Sequence, residues 1–210
     1  MAETNKPVYT LNDGKYLISI ARKSILNYLT FKKELPMPDD APHKLMEKSG
    51  VFVTLNKPDD SGKKNLRGCI GYILPVYPLV QATIQTAVSS AISDYRFPQV
   101  TIDEMKDIVI EVTILTPPEK IIVTKSEEYL SKIKIGRDGL IVKQGGNSGL
   151  LLPQVPVEWN WDVKEFLQHT CNKAGLPLNC WEDLNTEIQS FSGIIYAEET
   201  PNGEVKEKET

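Results

Sequence analysis

Two kinds of hydrophobic period are interspersed along the chain in no fixed order. Apolar residues recur at helical spacing over residues 17–29 and 80–92, whereas residues 108–115 alternate as a half-buried strand does. A doubly wound parallel sheet needs a regular succession of strand, helix and strand, and this chain lacks that succession. The pattern therefore predicts an α+β fold in which a mostly antiparallel sheet is flanked by helices.

Capping and turn residues indicate where other elements begin and end. Thr101 with Glu104, and Asp162 with Glu165, have the spacing of a helix capping box. Residues 145–149 (GGNSG) favour a hairpin turn over a phosphate loop, because no helix follows them. The predicted elements are helix 17–29 with Asn12 or Asp13 as its cap, strands 50–56 and 66–74, helix 80–92 with Pro78 in its first turn, a short helix after Thr101, strand 108–115, a short helix over 126–133, a hairpin within 139–152, a helix beginning near residue 162, and strand 188–197.

The 210 residues are predicted to form one domain, since no repeat and no linker composition divides them. We expect an N-terminal extension over residues 1–10 and a folded domain over residues 11–198. Residues 199–210 are polar, with Val205 as their apolar anchor, which predicts a disordered tail. One continuous core should bury the apolar positions Val53, Ile70, Val88, Ile110 and Phe166.

The charge balance excludes a protein that is basic overall. Lys and Arg number 24 against 28 Asp and Glu, a net charge of −4, whereas dedicated nucleic-acid binders carry a basic excess. The N-terminus lacks the apolar core of a signal peptide, and no apolar run is long enough to cross a membrane. Three cysteines without a CxxC motif argue against a secreted disulfide framework. We therefore expect a cytoplasmic protein without a membrane partner.

Residues 66–71 (LRGCIG) hold the strongest candidates for chemistry. In a regular strand, Arg67 and Cys69 project to one face, and a guanidinium beside a thiol favours the nucleophilic thiolate. Gly68 and Gly71 remove side chains, which lets a ligand or another backbone approach closely. The alternative is structural: Cys69 is a small buried residue, and Arg67 pairs with a carboxylate elsewhere.

The sequence offers no convincing base or metal site for Cys69. His43 lies in a proline-rich segment, and the position of His169 on its predicted helix turns it towards solvent. A papain-like Cys–His couple is therefore disfavoured, and no set of paired Cys or His residues has the spacing of a zinc site. Cys171 is predicted to lie in the core; a Cys171–Cys180 disulfide, expected only in a hyperthermophile, stays open.

Two further clusters could add to a site. Asp94 and Arg96 lie at the end of a predicted helix, where binding residues often occur, although a local ion pair would explain them equally. Glu158 stands beside two tryptophans near the start of the helix predicted from residue 162. These tryptophans are more typical of core or interface packing than of a ligand site.

Taken together, these segments resemble the AMMECR domain family. The resemblance rests on LRGCIG (66–71), DYRFP (94–98), LLLPQV (150–155), WDVKEFL (161–167) and KAGL (173–176). It spans most of the chain, with Tyr95 as a small departure. It implies an antiparallel sheet flanked by helices, a smaller second lobe and a cleft lined by the hexapeptide. It also implies a modification pathway shared with Memo-type and radical-SAM proteins, and it names no cofactor.

Two hypotheses about function follow from these residues. The first is an enzyme or substrate-binding protein for a small molecule or modified substrate. In it Arg67 anchors an anion, Cys69 is the candidate nucleophile, and Gly68, Gly71, Asp94, Arg96 and Glu158 complete the substrate site. The second is a non-catalytic adaptor that binds a protein or RNA partner through the same cleft.

Overall fold

A computed structural model gives the fold and describes residues 9–59 and 61–208 of the chain. The helices are α1 (Leu11–Phe31), α2 (Leu79–Ile92), α3 (Tyr129–Lys132), α4 (Gln154–Glu158) and α5 (Val163–Lys173), with short 3-10 helices at His43–Met46, Asp103–Lys106, Ser126–Glu128 and Cys180–Glu182. The strands are β1 (Gly50–Pro58), β2 (Lys64–Tyr72), β3 (Val109–Leu115), β4 (Glu119–Lys120), β5 (Asp138–Gln144), β6 (Asn147–Leu151), β7 (Glu187–Glu198) and β8 (Val205–Lys208).

The chain forms two compact units, each with its own core. The first comprises the described residues up to Leu115 together with those from Ile194 onwards, and the second comprises Thr116–Gly193. The prediction of one continuous core is therefore wrong: Phe166 belongs to the core of the second unit, and Ile70 is only half-buried. The chain enters the second unit after Leu115, at the end of β3 and next to Pro117 and Pro118, and it returns to the first unit inside strand β7.

In the first unit, β1 pairs antiparallel with both β2 and β3, and β7 pairs antiparallel with β8. Helices α1 and α2 contact this sheet and bury the apolar stripes that predicted them. The α+β class and the antiparallel sheet are confirmed. Helix α1 begins earlier than predicted, since Thr10 rather than Asn12 or Asp13 is its cap, in a capping box with Asp13.

A buried ion pair that the sequence analysis missed fastens α1 to β7. Arg22 donates from Nη2 to Glu198 Oε2 at 2.5 Å and from Nε to Oε1 at 3.1 Å, and it also binds the carbonyl oxygens of Met105 and Ile108. Glu198 in turn accepts from the backbone N–H of Ile110 at 2.8 Å. Because the guanidinium and the carboxylate each have further hydrogen-bond partners besides one another, the pair tolerates its almost complete burial.

The prediction of a disordered tail is wrong for the residues of β8. Val205 is 8% exposed and packs into the first core, and β8 adds to β7 with Val205 opposite Glu198. A four-residue edge strand needs little apolar area because its partner strand satisfies part of its backbone. Most of the predicted N-terminal extension, residues 1–8, lies outside the described residues.

The second unit is built on β5, which pairs antiparallel with β6 and with the first half of β7. The predicted hairpin between β5 and β6 is confirmed, with Gly145 in the left-handed region at φ 58°. Asp162 and Glu165 form the predicted capping box at the start of α5. Cys171, fully buried on α5, forms a disulfide with Cys180, which resolves the question that the sequence left open.

The disulfide should stabilise the second unit measurably. It joins residues nine apart, and chain-entropy arguments give about 2–3 kcal/mol for a loop of that length. We expect Cys180→Ser to lower the free energy of unfolding by this amount in urea titrations under oxidising conditions. Reductant should remove the difference from wild type, while Cys69→Ser serves as the control without a bridge. Equal stability of Cys180→Ser and wild type under oxidising conditions would contradict the assignment.

Candidate functional site

The hexapeptide 66–71 lies on β2, the outer strand of its sheet. Cys69 is opposite Thr54 of β1, and Gly68 is opposite Leu55, but the next partner of β1 is Leu66 rather than Arg67. Arg67 is thus the extra residue of a β-bulge, which redirects its side chain and breaks strict alternation. The register therefore removes the basis for predicting that Arg67 and Cys69 share one face.

The glycines of the hexapeptide accommodate the protein's own atoms. A Cβ on Gly68 would lie 2.1 Å from the carbonyl oxygen of Ser90 on α2, and one on Gly71 would lie 2.4 Å from the ring of Phe52. The room that the sequence predicted for a ligand is thus occupied at both positions. The sequence predicted that a ligand or another backbone approaches these glycines closely, and at Gly68 it is the backbone of Ser90.

Helix α2 reaches into the hydrogen bonds between β1 and β2 through Ser90. Its Oγ accepts from the N–H of Ile70 at 2.8 Å and donates to the carbonyl oxygen of Val53 at 2.7 Å. Ile70 and Val53 are directly opposed, so the hydroxyl bridges a backbone pair across the two strands. This contact fixes the C-terminal end of α2 against β2.

Two residues beyond α2, the buried carboxylate of Asp94 joins the helix end to Cys69. Its Oδ2 accepts from the Cys69 N–H at 2.8 Å, and Arg96 donates to both oxygens, from Nε at 2.9 Å and from Nη2 at 2.7 Å. The Arg96 guanidinium, then burial in opposition, and then the Cys69 N–H are the main influences that set the pKa of Asp94, which falls to about 2. Asp94 is therefore charged at neutral pH and holds Arg96 beside Cys69.

The Cys69 thiol is half-buried and protonated at neutral pH. Its Sγ lies 3.1 Å from Oγ1 of Thr54. Burial raises the pKa of the thiol, and the Thr54 hydrogen bond and the charge of Arg96 lower it without cancelling that effect. The sequence analysis predicted a thiol activated by Arg67; the guanidinium that acts on Cys69 is that of Arg96, and the thiol is not activated at rest.

Arg67 is engaged by other residues. Its Nε and Nη2 donate to the two carboxylate oxygens of Glu104 at 3.1 and 3.2 Å, and its Nη1 and Nη2 donate to the carbonyl oxygens of Pro98 and Gln99. Its side chain is 14% exposed. This arrangement matches the structural alternative, in which Arg67 pairs with a carboxylate. Sequence analysis found Glu104 only as a capping residue, a role it also fills through Thr101.

The other predicted groups lie elsewhere. Glu158 is exposed at the end of α4 in the second unit, and its part in a site stays a prediction. His169 is half-buried against the ring of Trp161, with centroids 3.8 Å apart and planes at 7°, so the prediction of a solvent-facing His169 is wrong. Among the described residues, no group of three or more His, Cys, Asp or Glu side chains could hold a metal ion.

With this geometry in place, comparison with known proteins identifies the family. The AMMECR1 family model matches residues 18–196. The chain belongs to the AMMECR1 family. It is 53% identical to a protein of Pyrococcus abyssi over 93% of this chain and 95% of that protein, and 50% identical to one of Methanocaldococcus jannaschii over 95% and 96%. The crystal structure of the uncharacterized protein PH0010 from Pyrococcus horikoshii matches with a TM-score of 0.78 at 52% identity, covering 94% of this chain and 97% of that one.

These comparisons confirm the resemblance that the motifs indicated. None of the names of these relatives states an activity, so the family assignment adds no reaction. Among the described residues, no helix has both the length and the apolar character needed to cross a bilayer.

Asp94 yields a prediction about stability and pH. Asp94→Asn should lower the free energy of unfolding by about 1–3 kcal/mol at neutral pH, because it weakens hydrogen bonds made to a buried charge. The folded pKa of about 2 lies below the ordinary 3.8, so the contribution is complete above the ordinary value and is lost as pH falls through about 2. Urea titrations at several pH values should therefore show wild type and variant converging in acid.

The exposed carboxylate Asp39 gives a control for this experiment. Asp39→Asn should leave the free energy of unfolding nearly unchanged over the same pH range. A difference between Asp94→Asn and wild type that persisted undiminished below pH 2, or that was absent at neutral pH, would show that Asp94 does not hold Arg96 and Cys69 as described.

Proposed function

We propose that β2 and the C-terminal end of α2 form the site of an enzyme or substrate-binding protein for a small anionic molecule or modified substrate. Arg96 is the anion anchor, and Cys69 is the candidate nucleophile. The observation that carries the proposal is the double role of Asp94, which holds the guanidinium and the backbone of the cysteine through one carboxylate. A cation and a thiol are thereby kept at a fixed separation.

The exposure of Arg96 supports its role as the anchor in place of Arg67. Its side chain is 44% exposed, compared with 14% for Arg67. Nη1 of Arg96 makes no hydrogen bond within the described part of the chain, so two N–H groups are available to a ligand. A guanidinium suits carboxylate and phosphate groups, which it binds with paired hydrogen bonds.

The family also bears on the pathway. The resemblance to the AMMECR domain family implies a modification pathway shared with Memo-type and radical-SAM proteins. We propose that the molecule bound at Arg96 belongs to such a pathway. This part of the proposal rests on the resemblance alone.

One observation favours the second candidate function, an adaptor. Tyr95 is 95% exposed and lies between Asp94 and Arg96. Tyrosine and arginine are both enriched at protein interfaces, so this pair would suit a partner protein. The adaptor hypothesis gives the Cys69 thiol no role, which lets thiol chemistry separate the two functions.

The test compares an anionic and a neutral alkylating reagent at Cys69. Of the three cysteines, Cys69 alone is free, so labelling of the folded protein reports on it directly. Both reagents react with the thiolate, so the ratio of the iodoacetate rate to the iodoacetamide rate does not depend on the fraction of Cys69 that is ionised. We expect Arg96→Gln to lower this ratio several-fold, because the carboxylate of iodoacetate loses its anchor.

The second unit supplies a matched control. Arg137 is 43% exposed and donates from Nε and Nη2 to the carboxylate of the neighbouring Asp138, as Arg96 does to Asp94. Arg137→Gln should leave the ratio unchanged, and so should Tyr95→Ala. An unchanged ratio in Arg96→Gln would exclude the anion anchor. A thiol that reacts only after unfolding would exclude Cys69 as the nucleophile and leave the adaptor.

A further inference from the structure

The groups named so far in the proposed site include no free proton acceptor for Cys69. The thiol is protonated at rest, and an anion bound at Arg96 would offset the cation that favours the thiolate. Neither histidine hydrogen-bonds to Cys69 in the described part of the chain: His43 is exposed on its 3-10 helix, and His169 is stacked on Trp161 in the second unit. Both Asp94 oxygens already accept hydrogen bonds from Arg96 and from the cysteine backbone. The acceptor must therefore lie on another element.

The register of the first sheet places a carboxylate in line with the thiol. Cys69 of β2 is directly opposite Thr54 of β1, and Thr54 is directly opposite Glu111 of β3. Directly opposed residues point to the same face, with Cβ atoms about 5 Å apart. Cys69, Thr54 and Glu111 thus form one row across three strands, and the thiol already contacts the Thr54 hydroxyl at 3.1 Å.

Glu111 forms an ion pair near this row. Its side chain is 17% exposed and pairs with Lys208 of β8. Lys64 is the other cation that interacts with it electrostatically. On the thiol side, Asp94 and Arg96 are the other charged groups that act on Cys69, and Glu111 itself raises the pKa of the thiol. The carboxylate is therefore close enough to influence Cys69, yet makes no hydrogen bond to Thr54 while it is paired with Lys208.

We propose that Glu111 accepts the proton of Cys69 through the hydroxyl of Thr54. This inference rests on the proposed function, because it supplies what the nucleophile needs. A rotation of the Glu111 side chain brings its carboxylate from Lys208 to Thr54. Thr54 is in contact with the reacting sulfur, and Glu111 is a positioning residue that acts through it.

With iodoacetamide as the electrophile, the step balances as follows. The Sγ–H proton passes to Oγ1 of Thr54, while the hydroxyl proton of Thr54 passes to the Glu111 carboxylate. The sulfur lone pair forms the S–C bond, the C–I bond breaks, and iodide leaves with its electron pair. Glu111 then releases the proton to water, which restores the row.

The pH dependence of alkylation distinguishes a relay from a simple electrostatic effect. Without a relay, the rate below the thiol pKa falls about tenfold per pH unit, because only free deprotonation supplies thiolate. With a relay, the proton moves from the Cys69 thiol to the Glu111 carboxylate, and the number of protons bound to the protein does not change. Because this step neither takes up nor releases a proton, the rate levels off below the thiol pKa.

We expect a levelled profile for wild type and for Thr54→Ser, which keeps the hydroxyl. Glu111→Gln and Thr54→Val should lose the levelled region and fall about tenfold per pH unit throughout. Thr113→Val is the control, since Thr113 is a half-buried threonine two residues along β3 on the same face as Glu111. It should retain the wild-type profile, and melting curves should show all variants folded.

Two outcomes would overturn the relay: a wild-type rate that falls about tenfold per pH unit, or a levelled profile that survives in Glu111→Gln. A purely electrostatic role would instead raise the Glu111→Gln rate by the same factor at every pH below the thiol pKa, because the anion that opposes the thiolate is removed. Failure of the relay leaves the iodoacetate preference intact, whereas failure of the proposed function abolishes that preference, so the two failures are distinguishable.

Discussion

The first unit depends on how closely helix α2 approaches strand β2. The carbonyl of Ser90 occupies the place that a side chain at Gly68 would need, and the Ser90 hydroxyl bridges the two strands beneath it. The C-terminal end of α2 is thereby fixed, and Asp94, which follows it, reaches the N–H of Cys69. A Cβ at position 68 would push α2 away from β2, and Asp94 would lose its place. The geometry of the site is therefore a consequence of helix packing.

That packing also decides which of the two arginines is accessible from solvent. Arg67 is the bulged residue of β2, and it binds Glu104 and the carbonyl oxygen of Pro98. It therefore also joins β2 to the segment that follows α2. Arg96 is clamped by Asp94 and keeps part of its guanidinium in solvent. The low exposure of the Arg67 side chain suits it to an internal ion pair with Glu104 and leaves little of it accessible to a substrate. The Cys69 thiol is half-buried and protonated beside this cation, so the nucleophile that we propose needs a proton acceptor.

Local signals in the sequence predicted the elements of the fold well. Period and capping residues placed the helices and strands, because these signals depend on neighbouring residues alone. The two cores were missed because Pro117 and Pro118 at the first crossing end a strand as readily as they divide two units, and the return crossing within β7 is marked by no turn or linker residue. The disorder predicted around Val205 failed because pairing with β7, a long-range contact, stabilises β8.

The candidate residues could be named from the sequence, but not all of their contacts. Cys69, Asp94 and Arg96 were recognised as candidates by residue type, and the structure brings them together. The bulge at Arg67 and the row from Cys69 to Glu111 depend on strand register, which a single sequence does not reveal.

Amide hydrogen exchange at Cys69 tests whether the Asp94 carboxylate holds the backbone of this residue. The Cys69 N–H should be protected from exchange in wild type, although β2 is an outer strand. Asp94→Ala should remove this protection. The N–H of Ile110, which the carboxylate of Glu198 holds in a similar way, should stay protected in both proteins. Fast exchange of the wild-type Cys69 N–H, or protection that survives in Asp94→Ala, would contradict the account.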